Sequence, residues 1–186
     1  EKELGEVAEF RRGSFPQPYG LPEWYDEENG MPFVQVYDVN DNMKLKDTTK
    51  NKISTGAMKS SVFAQAGTII LTIQGSIGRI AITQYDAYID RTLLIFTSFK
   101  KPIDKIFFSY IVFLLFEIEK TKAKGGTIKT ITKEELSKFT IFLPSLLEQQ
   151  KIADFLSVLD KKIDIVSQEL GQVQEFKKGL LQQMFV

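Results

Sequence analysis

A seven-residue apolar repeat runs through residues 145–186 and constrains the fold of the chain more than any other feature. Its apolar side chains alternate at spacings of four and three residues, the pattern with which one helix packs along another. One seam position holds Ile152, Leu159, Val166, Val173 and Leu180, and the other holds Leu156, Ile163, Leu170, Lys177 and Met184. Only Lys177 interrupts the apolar pattern. The sequence therefore predicts a long C-terminal helix that pairs with a second helix.

The predicted helix begins at a capping box, Ser145-Leu146-Leu147-Glu148, directly after Pro144. At ~1.5 Å per residue it would be about 60 Å long. Gly171 and Gly179 each cost roughly 1 kcal/mol in a helix interior. Burial of each apolar seam side chain contributes roughly 1.5–3 kcal/mol, so pairing outweighs that cost. The alternative is a core helix that folds back on the rest of the chain, although a strict 3.5-residue repeat gives a narrow stripe that suits another helix better than a sheet.

Residues 1–144 are predicted to form one α/β (α+β) domain with a mixed or antiparallel sheet. Apolar runs predict strands at Phe33–Val39, Thr68–Ile73, Arg79–Thr83, Leu93–Thr97 and Phe139–Leu143. Helices are predicted from Asp104 to about Lys122 and after the capping box Thr132–Glu135. The motif Gly75-Ser76-Ile77-Gly78 is predicted to turn the chain between two strands. A long polar loop with three prolines follows Arg12, and loops of this length are usually functional or disordered.

Composition excludes several classes of function. The chain has no cysteine and no histidine among its 186 residues, which removes disulfides, thiolate nucleophiles, the commonest general base and the commonest zinc ligands. The most apolar run, Ile106–Ile118, is shorter than the ~20 residues that cross a bilayer. Motifs for adenine methylation, for phosphate-binding loops and for dinucleotide binding are missing as well. We therefore expect a non-catalytic protein with no metal site and no membrane contact.

The basic residues of the chain are concentrated in its middle. Residues 31–101 hold nine basic and five acidic side chains. The densest group is Lys44, Lys46, Lys50, Lys52 and Lys59. Both a solvated loop and a phosphate-binding surface fit such a group.

The segments at both ends of the predicted helix match a known family. The run Leu143–Leu156 (LPSLLEQQKIADFL) and the terminal Lys177–Phe185 resemble the conserved-region helix of the specificity (S) subunit of type I restriction-modification systems. Upstream, Leu4–Ser14, the strand-turn-strand Gly67–Ile82 and Gly125-Gly126-Thr127 resemble the target recognition domain of that family. An S subunit of the family holds two such domains and two such helices. The chain, with one of each, resembles a half-length subunit or the C-terminal half of a full one.

The resemblance implies a fold and a function. It implies that residues 1–144 are a target recognition (DNA-binding) domain, and that residues 145–186 are a spacer and dimerisation helix in an antiparallel coiled coil. The chain would read one half of a bipartite site in double-stranded DNA and dock the methylation (M) subunits, with the restriction (R) subunit as a further partner. It would hold no cofactor, because S-adenosylmethionine is expected on the M subunit. A homodimer through the C-terminal helix and a cytoplasmic location are also expected.

A different hypothesis is a structural coiled-coil dimerisation module without DNA specificity. It makes no demand on the basic loops of residues 1–144, whereas a DNA-reading domain needs them. The nine apolar seam residues would form the dimer interface under either hypothesis.

Candidate DNA contacts are basic and polar side chains in predicted loops and turns, since such groups bind phosphates and base edges. They are Arg11, Arg12, Ser14, Lys44, Lys46, Lys50, Gln74, Ser76, Arg79, Arg91, Thr127 and Lys129. Each has a structural alternative: Arg79 and Arg91 could pair with Asp86 or Asp90, and the glycines before Thr127 could only end a helix. The sequence does not rank these candidates.

Overall fold

The computed structural model describes residues 1–122 and 131–185. Its contacts divide the chain into two compact units, residues 1–144 and residues 145–186. The strands are β1 (Lys2–Glu3), β2 (Ala8–Arg12), β3 (Met31–Val34), β4 (Asn51–Ile53), β5 (Val62–Ala64), β6 (Ile69–Thr72), β7 (Ile80–Ile82), β8 (Ala87–Ile89), β9 (Leu93–Phe99) and β10 (Thr140–Ile141). The helices are α1 (Leu4–Val7), α2 (Thr55–Met58), α3 (Lys105–Lys122), α4 (Lys133–Ser137) and α5 (Leu146–Met184).

Two four-stranded sheets form the first unit. One has the order β2-β9-β6-β7 and is antiparallel throughout. The other has the order β4-β3-β8-β5, in which β3 and β8 are parallel and the other pairs are antiparallel. The short strands β1 and β10 pair separately. The predicted α+β fold with a mixed or antiparallel sheet and a long C-terminal helix is therefore confirmed.

Helix α3 packs its apolar face into the core of the first unit. Asp104 caps it, since its Oδ1 accepts the backbone N–H of Phe107 at 2.9 Å. Phe108 is fully buried and meets the rings of Phe96 and Phe99 edge-on, both at 5.0 Å between centroids. These edge-to-face contacts are the arrangement that aromatic quadrupoles favour. The predicted helix from Asp104 to about Lys122 is therefore confirmed.

A buried carboxylate explains why β3 is shorter than the predicted strand Phe33–Val39. After Val34 the chain turns into a single 3₁₀ turn at Val36–Asp38. The Asp38 side chain is fully buried and accepts the backbone N–H groups of Gln35 at 2.9 Å and Lys50 at 3.0 Å. Burial raises the pKa of Asp38, while the hydrogen bonds from Gln35 and Lys50 act in the opposite direction. The carboxylate thus bends the strand and closes the loop up to residue 50.

Five strands, β1, β2, β4, β5 and β8, and two short helices, α1 and α2, were not predicted. Strands β4 and β5 and helix α2 lie within or just after the lysine-rich segment, and β8 lies between two predicted strands. Strands β4, β5 and β8 have only three residues each, too few for an alternating pattern to stand out. The predicted strand Phe139–Leu143 is reduced to the two residues of β10.

The predicted glycine turn between β6 and β7 is confirmed, and its glycines are required by geometry. Gly75 has φ 72° and Gly78 has φ 86°, values that residues with a side chain rarely adopt. A Cβ on Gly78 would also lie 2.8 Å from Cβ of Phe116. The turn can therefore lie against α3 only if this position is glycine.

The second unit is helix α5, which has 39 residues. Its predicted capping box is present: the Ser145 hydroxyl accepts the backbone N–H of Glu148, and the Glu148 carboxylate accepts the backbone N–H of Ser145. The hydrogen bond that the Ser145 hydroxyl donates to the Glu148 carboxylate lowers the pKa of Glu148, and the one from the Ser145 backbone N–H lowers it further. Eight of the nine apolar seam side chains are 40–72% exposed, which is not the burial expected of a core helix. Pairing into a coiled coil stays a prediction.

Candidate nucleic-acid interface

Five polar side chains from separate segments of the first unit form one hydrogen-bonded network. We call it the tyrosine–amide cluster, and its members are Tyr19, Gln35, Tyr37, Asn51 and Asp90. Gln35 Nε2 donates to the Tyr19 hydroxyl, and the Tyr37 hydroxyl donates to Gln35 Oε1. Asn51 Nδ2 lies 2.7 Å from Gln35 Oε1 and 3.0 Å from the Tyr37 hydroxyl. The Tyr19 hydroxyl lies 3.4 Å from Asp90 Oδ1.

The fold holds the two ends of the cluster in place. At one end, Asp90 is 3% exposed and its Oδ2 accepts the Thr92 hydroxyl at 2.8 Å. Gly13 passes so close that a Cβ there would lie 2.3 Å from the Asp90 carbonyl oxygen. Under the cluster, the ring of Phe15 packs against Tyr19 at 4.9 Å. At the other end, the buried Asp38 carboxylate accepts the backbone N–H groups of Gln35 and Lys50, the neighbour of Asn51.

The tyrosine hydroxyls of the cluster stay protonated at neutral pH. Tyr19 and Tyr37 are 37% and 38% exposed, so each is accessible at one edge and packed at the other. Partial burial raises the pKa of Tyr19, and the nearby Asp90 charge raises it further. Burial, followed by the Asp38 charge, raises the pKa of Tyr37 to about 12. Both hydroxyls therefore donate as neutral groups within the cluster, Tyr19 to Asp90 and Tyr37 to Gln35 Oε1.

Three of the predicted DNA-contacting cations surround the cluster. The Arg91 guanidinium lies 5.2 Å from the centre of the Tyr19 ring, and Lys50 Nζ lies 5.1 Å from the centre of the Tyr37 ring. Arg12 Nε donates to the Arg91 carbonyl oxygen at 2.6 Å. The fold thus brings Arg12, Lys50 and Arg91 together around a polar centre, an arrangement that can bind phosphates at its rim and base edges at its middle.

Arg79 has a different environment from these three cations. It forms an ion pair with Asp41, with Nε 2.7 Å from Oδ1, and its guanidinium donates to the Val39 carbonyl at 3.3 Å. The alternative pairings of Arg79 and Arg91 with Asp86 or Asp90 are wrong: Arg79 pairs with Asp41, and Arg91 lies over the Tyr19 ring. Asp86 instead accepts the backbone N–H of Ala66 at 2.8 Å.

Several other candidates lie in turns near the cluster. The Ser14 hydroxyl donates to the Ser60 carbonyl at 2.8 Å and its backbone N–H donates to Ile89, so this residue fastens the loop. The Ser76 carbonyl accepts the Thr72 hydroxyl. Gln74 is half-buried and follows Ile73, whose N–H donates to the Thr92 carbonyl at 2.9 Å. The glycine turn therefore adjoins the Asp90 end of the cluster.

The remaining candidates are not placed in the cluster. Arg11 is exposed on β2, where side chains alternate between the two faces of the strand, so it points away from Arg12. Lys44 and Lys46 are exposed in the loop that Asp38 closes. Thr127, Lys129 and the glycines before them lie outside the described residues.

A cavity of about 440 Å³ lies beside the glycine turn. Arg79 and Lys120 contribute positive charge to its lining, and Asp41 and Glu117 contribute negative charge. These groups already pair, Arg79 with Asp41 and Lys120 with Glu117 at 2.6 Å. The cavity therefore offers no excess charge that would attract a phosphate.

The described residues hold neither a metal-binding group nor a membrane span. Within residues 1–122 and 131–185, no three or more acidic, histidine or cysteine side chains lie close enough to hold a metal ion. In the same part of the chain, no helix is long and apolar enough to cross a membrane.

Sequence reasoning missed the uncharged members of the cluster and its anchoring carboxylate. Tyr19, Gln35, Tyr37 and Asn51 carry no charge, and they are spread over 33 positions of the sequence from 19 to 51. Asp90 was predicted only as an ion-pair partner. The one usable signal was the long proline-containing loop, which was predicted to be functional or disordered and which contains Tyr19.

Comparison with known proteins gives a consistent result. The family model described as type I restriction modification DNA specificity domain matches residues 1–175. A putative type I restriction enzyme MjaX specificity subunit from Methanocaldococcus jannaschii is 32% identical over 114 residues, which are 61% of this chain and 27% of that protein. The type I restriction enzyme EcoR124I/EcoR124II specificity subunit from Escherichia coli is 22% identical over 184 residues, covering 95% and 45% of the two chains.

Two solved structures share the fold. The HsdS subunit from Thermoanaerobacter tengcongensis superposes with a TM-score of 0.66 at 24% identity, over 90% of this chain and 38% of that one. A chain from a study of complex assembly and conformational transition of the type I R-M system superposes with a TM-score of 0.71 at 21% identity, over 96% and 42%. The chain spans less than half the length of each of these four proteins.

Proposed function

Because the chain belongs to the type I restriction-modification DNA specificity domain family, we propose that it reads one half of a bipartite DNA site for such a system. The observation that carries this proposal is the tyrosine–amide cluster with its rim of cations. Neutral hydroxyl and amide groups can hydrogen-bond base edges, whereas Arg12, Lys50 and Arg91 can bind the phosphates on either side. A purely structural dimerisation module has no use for such a surface, so the family and the cluster together favour DNA recognition.

The proposed role of helix α5 is to space and dimerise the recognition domains. Its apolar seam is exposed in the single chain, and a second copy would supply a seam of the same pattern through a twofold interface. In an antiparallel pair, the two recognition domains would lie at opposite ends of a rod about 60 Å long, at ~1.5 Å per residue. Two identical domains related by a twofold axis would read a palindromic bipartite site.

The proposed partners follow from the family. The chain would select the DNA site without catalysing a reaction, and an M subunit carrying S-adenosylmethionine would methylate adenine at the selected site. An R subunit would use the same site for cleavage. These partners act on cellular DNA, so the proposed place of action is the cytoplasm.

The test measures DNA binding by the protein in complex with the M subunit of its own system. Replacement of Arg12, Lys50 and Arg91 together by alanine should weaken DNA binding. The slope of the logarithm of the binding constant against the logarithm of the salt concentration should become shallower by about 0.9 for each phosphate that the variant no longer neutralises. The matched control replaces three exposed cations that are not candidate contacts, Lys2, Lys101 and Lys138, with the same reduction in charge. Equal weakening by both triple variants would assign the effect to net charge.

Sequencing of methylated adenines in DNA treated with the complex tests specificity itself. The wild-type complex should leave one bipartite motif. A stable complex that methylates without any motif would refute the recognition function and leave the structural module as the remaining hypothesis.

A further inference from the structure

The hydrogen bonds of the tyrosine–amide cluster have one direction, which a buried carboxylate determines. A carboxylate only accepts hydrogen bonds, so the Tyr19 hydroxyl donates to Asp90. The Tyr19 oxygen is then the acceptor for Gln35 Nε2. This contact orients the Gln35 carboxamide, whose oxygen Oε1 must point to the other end of the cluster, toward Tyr37 and Asn51.

The direction continues to Asn51. Since Gln35 Oε1 can only accept, both of its neighbours donate: the Tyr37 hydroxyl and Asn51 Nδ2. The nitrogen end of the Asn51 amide therefore points into the cluster, and its oxygen end points away. The nitrogen and oxygen of an amide are ordinarily hard to distinguish, but here the carboxylate at the far end of the network distinguishes them.

One N–H of Asn51 also remains for an outside partner. Gln35 Oε1 and the Tyr37 hydroxyl are bonded to each other, so they lie in nearly the same direction from Asn51 Nδ2. Two acceptors so close together share one amide hydrogen, because the two hydrogens of an amide nitrogen diverge by about 120°. With the shared hydrogen on the side of Nδ2 away from Oδ1, the second N–H lies beside Oδ1, and together they form an edge with one donor and one acceptor.

We propose that Asn51 reads an adenine in the major groove of the half-site, and that Asp90 is the positioning residue that orients its amide. The inference rests on the proposed function. Asparagine recognises adenine with Oδ1 on the N6 amine and an N–H on N7, which is the edge that this network leaves available. Guanine presents acceptors at both N7 and O6, so it would place an acceptor against Asn51 Oδ1.

The surroundings of Asn51 suit contact with a duplex. Tyr37, its neighbour in the network, is 38% exposed, and the adjacent Lys50 lies over the Tyr37 ring. Lys50 on one side and the Arg12–Arg91 pair on the other can hold phosphates and so fix the register in which the amide meets the bases.

The experiment is motif sequencing of methylated DNA from the complex with the M subunit, for wild type and three variants. In Asn51→Ala, the preference for an A·T pair should fall by about 10- to 100-fold at one motif position. The base preferences at the other motif positions should stay as in wild type. Asp90→Asn should relax the same position, because an amide at that end can donate or accept and so no longer sets the direction. Thr92→Val, which removes a hydrogen bond to the same carboxylate and leaves the direction intact, should keep the wild-type motif.

Base analogues give a second readout that does not depend on how well Asp90→Asn folds. At the affected position, 2-aminopurine removes the N6 amine and 7-deazaadenine removes N7. Each should weaken DNA binding by the wild-type complex and have no further effect on the Asn51→Ala complex. Two motif results would overturn the inference while the proposed function stands: Asn51→Ala keeps the wild-type motif, or it loses a preference for G·C instead of A·T. Equal weakening of DNA binding by the base analogues in the wild-type and Asn51→Ala complexes would overturn it as well. A wild-type complex with no motif would overturn both.

Discussion

The two units of the chain differ in how far their apolar side chains are exposed. In residues 1–144, many large apolar side chains, among them Phe33, Phe108 and Phe116, are fully buried, and aromatic rings meet edge-on. In helix α5, eight of nine apolar seam side chains are exposed, up to 72% at Met184. The first unit completes its core with its own residues, whereas the second carries a surface that water does not favour.

The difference teaches that the two units meet different demands. A self-contained core can change its surface loops without losing its fold, which suits a domain that must read a particular DNA sequence. An exposed apolar seam is useful only with a partner, which suits a helix that sets the distance between two such domains. Substitutions that change one unit at a time should therefore leave the other unit's behaviour intact.

A charge introduced into the apolar seam of α5 should have the largest effect, and it should act on association of the helix pair. Ile163→Glu replaces an exposed apolar seam residue and, in a twofold pair, does so in both copies. The free energy of burial lost by the two copies is about 3–6 kcal/mol in total. This corresponds to a dimer dissociation constant raised at least about 100-fold. Analytical ultracentrifugation over a concentration series measures this.

The control for Ile163→Glu is Ser167→Glu, which adds one negative charge to an exposed position outside the seam. It should leave the association constant nearly unchanged. Wild-type protein that is monomeric at micromolar concentration would contradict the paired helix directly. Equal weakening by the two variants would show that charge, and not the seam, governs association.

A cavity in the core of the first unit should have the next largest effect. Phe108→Ala removes a fully buried ring from its contacts with Phe96 and Phe99 and should lower the free energy of unfolding by about 3–5 kcal/mol. Urea denaturation followed by circular dichroism measures it. Ile106→Ala, on the same helix but 41% exposed, should cost less than about 1 kcal/mol. Similar losses of stability in both variants would contradict the packing described for α3.

The sequence predicted the elements whose signals are local and repeated. Helix α5 and its capping box follow from the seven-residue repeat and from Ser145 and Glu148, and α3 follows from a long apolar run that begins after Asp104. The strand predicted at Phe33–Val39 ends early because Asp38 bonds to Lys50, twelve residues away. A local pattern cannot contain that bond.

The candidate site divides in the same way. Arg12, Lys50 and Arg91 were predicted because charge marks a phosphate-binding residue wherever it lies in the sequence. Asn51 and Gln35 were missed, since an amide becomes a candidate reader only when the fold orients it. The orientation depends on Asp90, which lies 39 positions beyond Asn51 in the sequence. Charge is readable from composition, whereas the direction of a hydrogen-bond network requires the fold.

Glycine substitutions should have the smallest effect, and they should act in opposite directions in the two units. A Cβ added to Gly171 in α5 meets no atom within 4 Å, so Gly171→Ala should stabilise the helix by about 1 kcal/mol. Gly75 has φ 72°, so Gly75→Ala should destabilise the first unit by roughly 1–2 kcal/mol.

Thermal unfolding of the two glycine variants beside wild type measures both effects. Gly171→Ala should raise the melting temperature and keep the association constant, while Gly75→Ala should lower the melting temperature. If Gly171→Ala instead weakened association, the partner helix would have to pass close to residue 171, and this glycine would be required by the pair just as Gly75 is required by its turn. The change in the association constant of Gly171→Ala therefore shows whether α5 contacts its partner only through its apolar seam residues or also along its backbone.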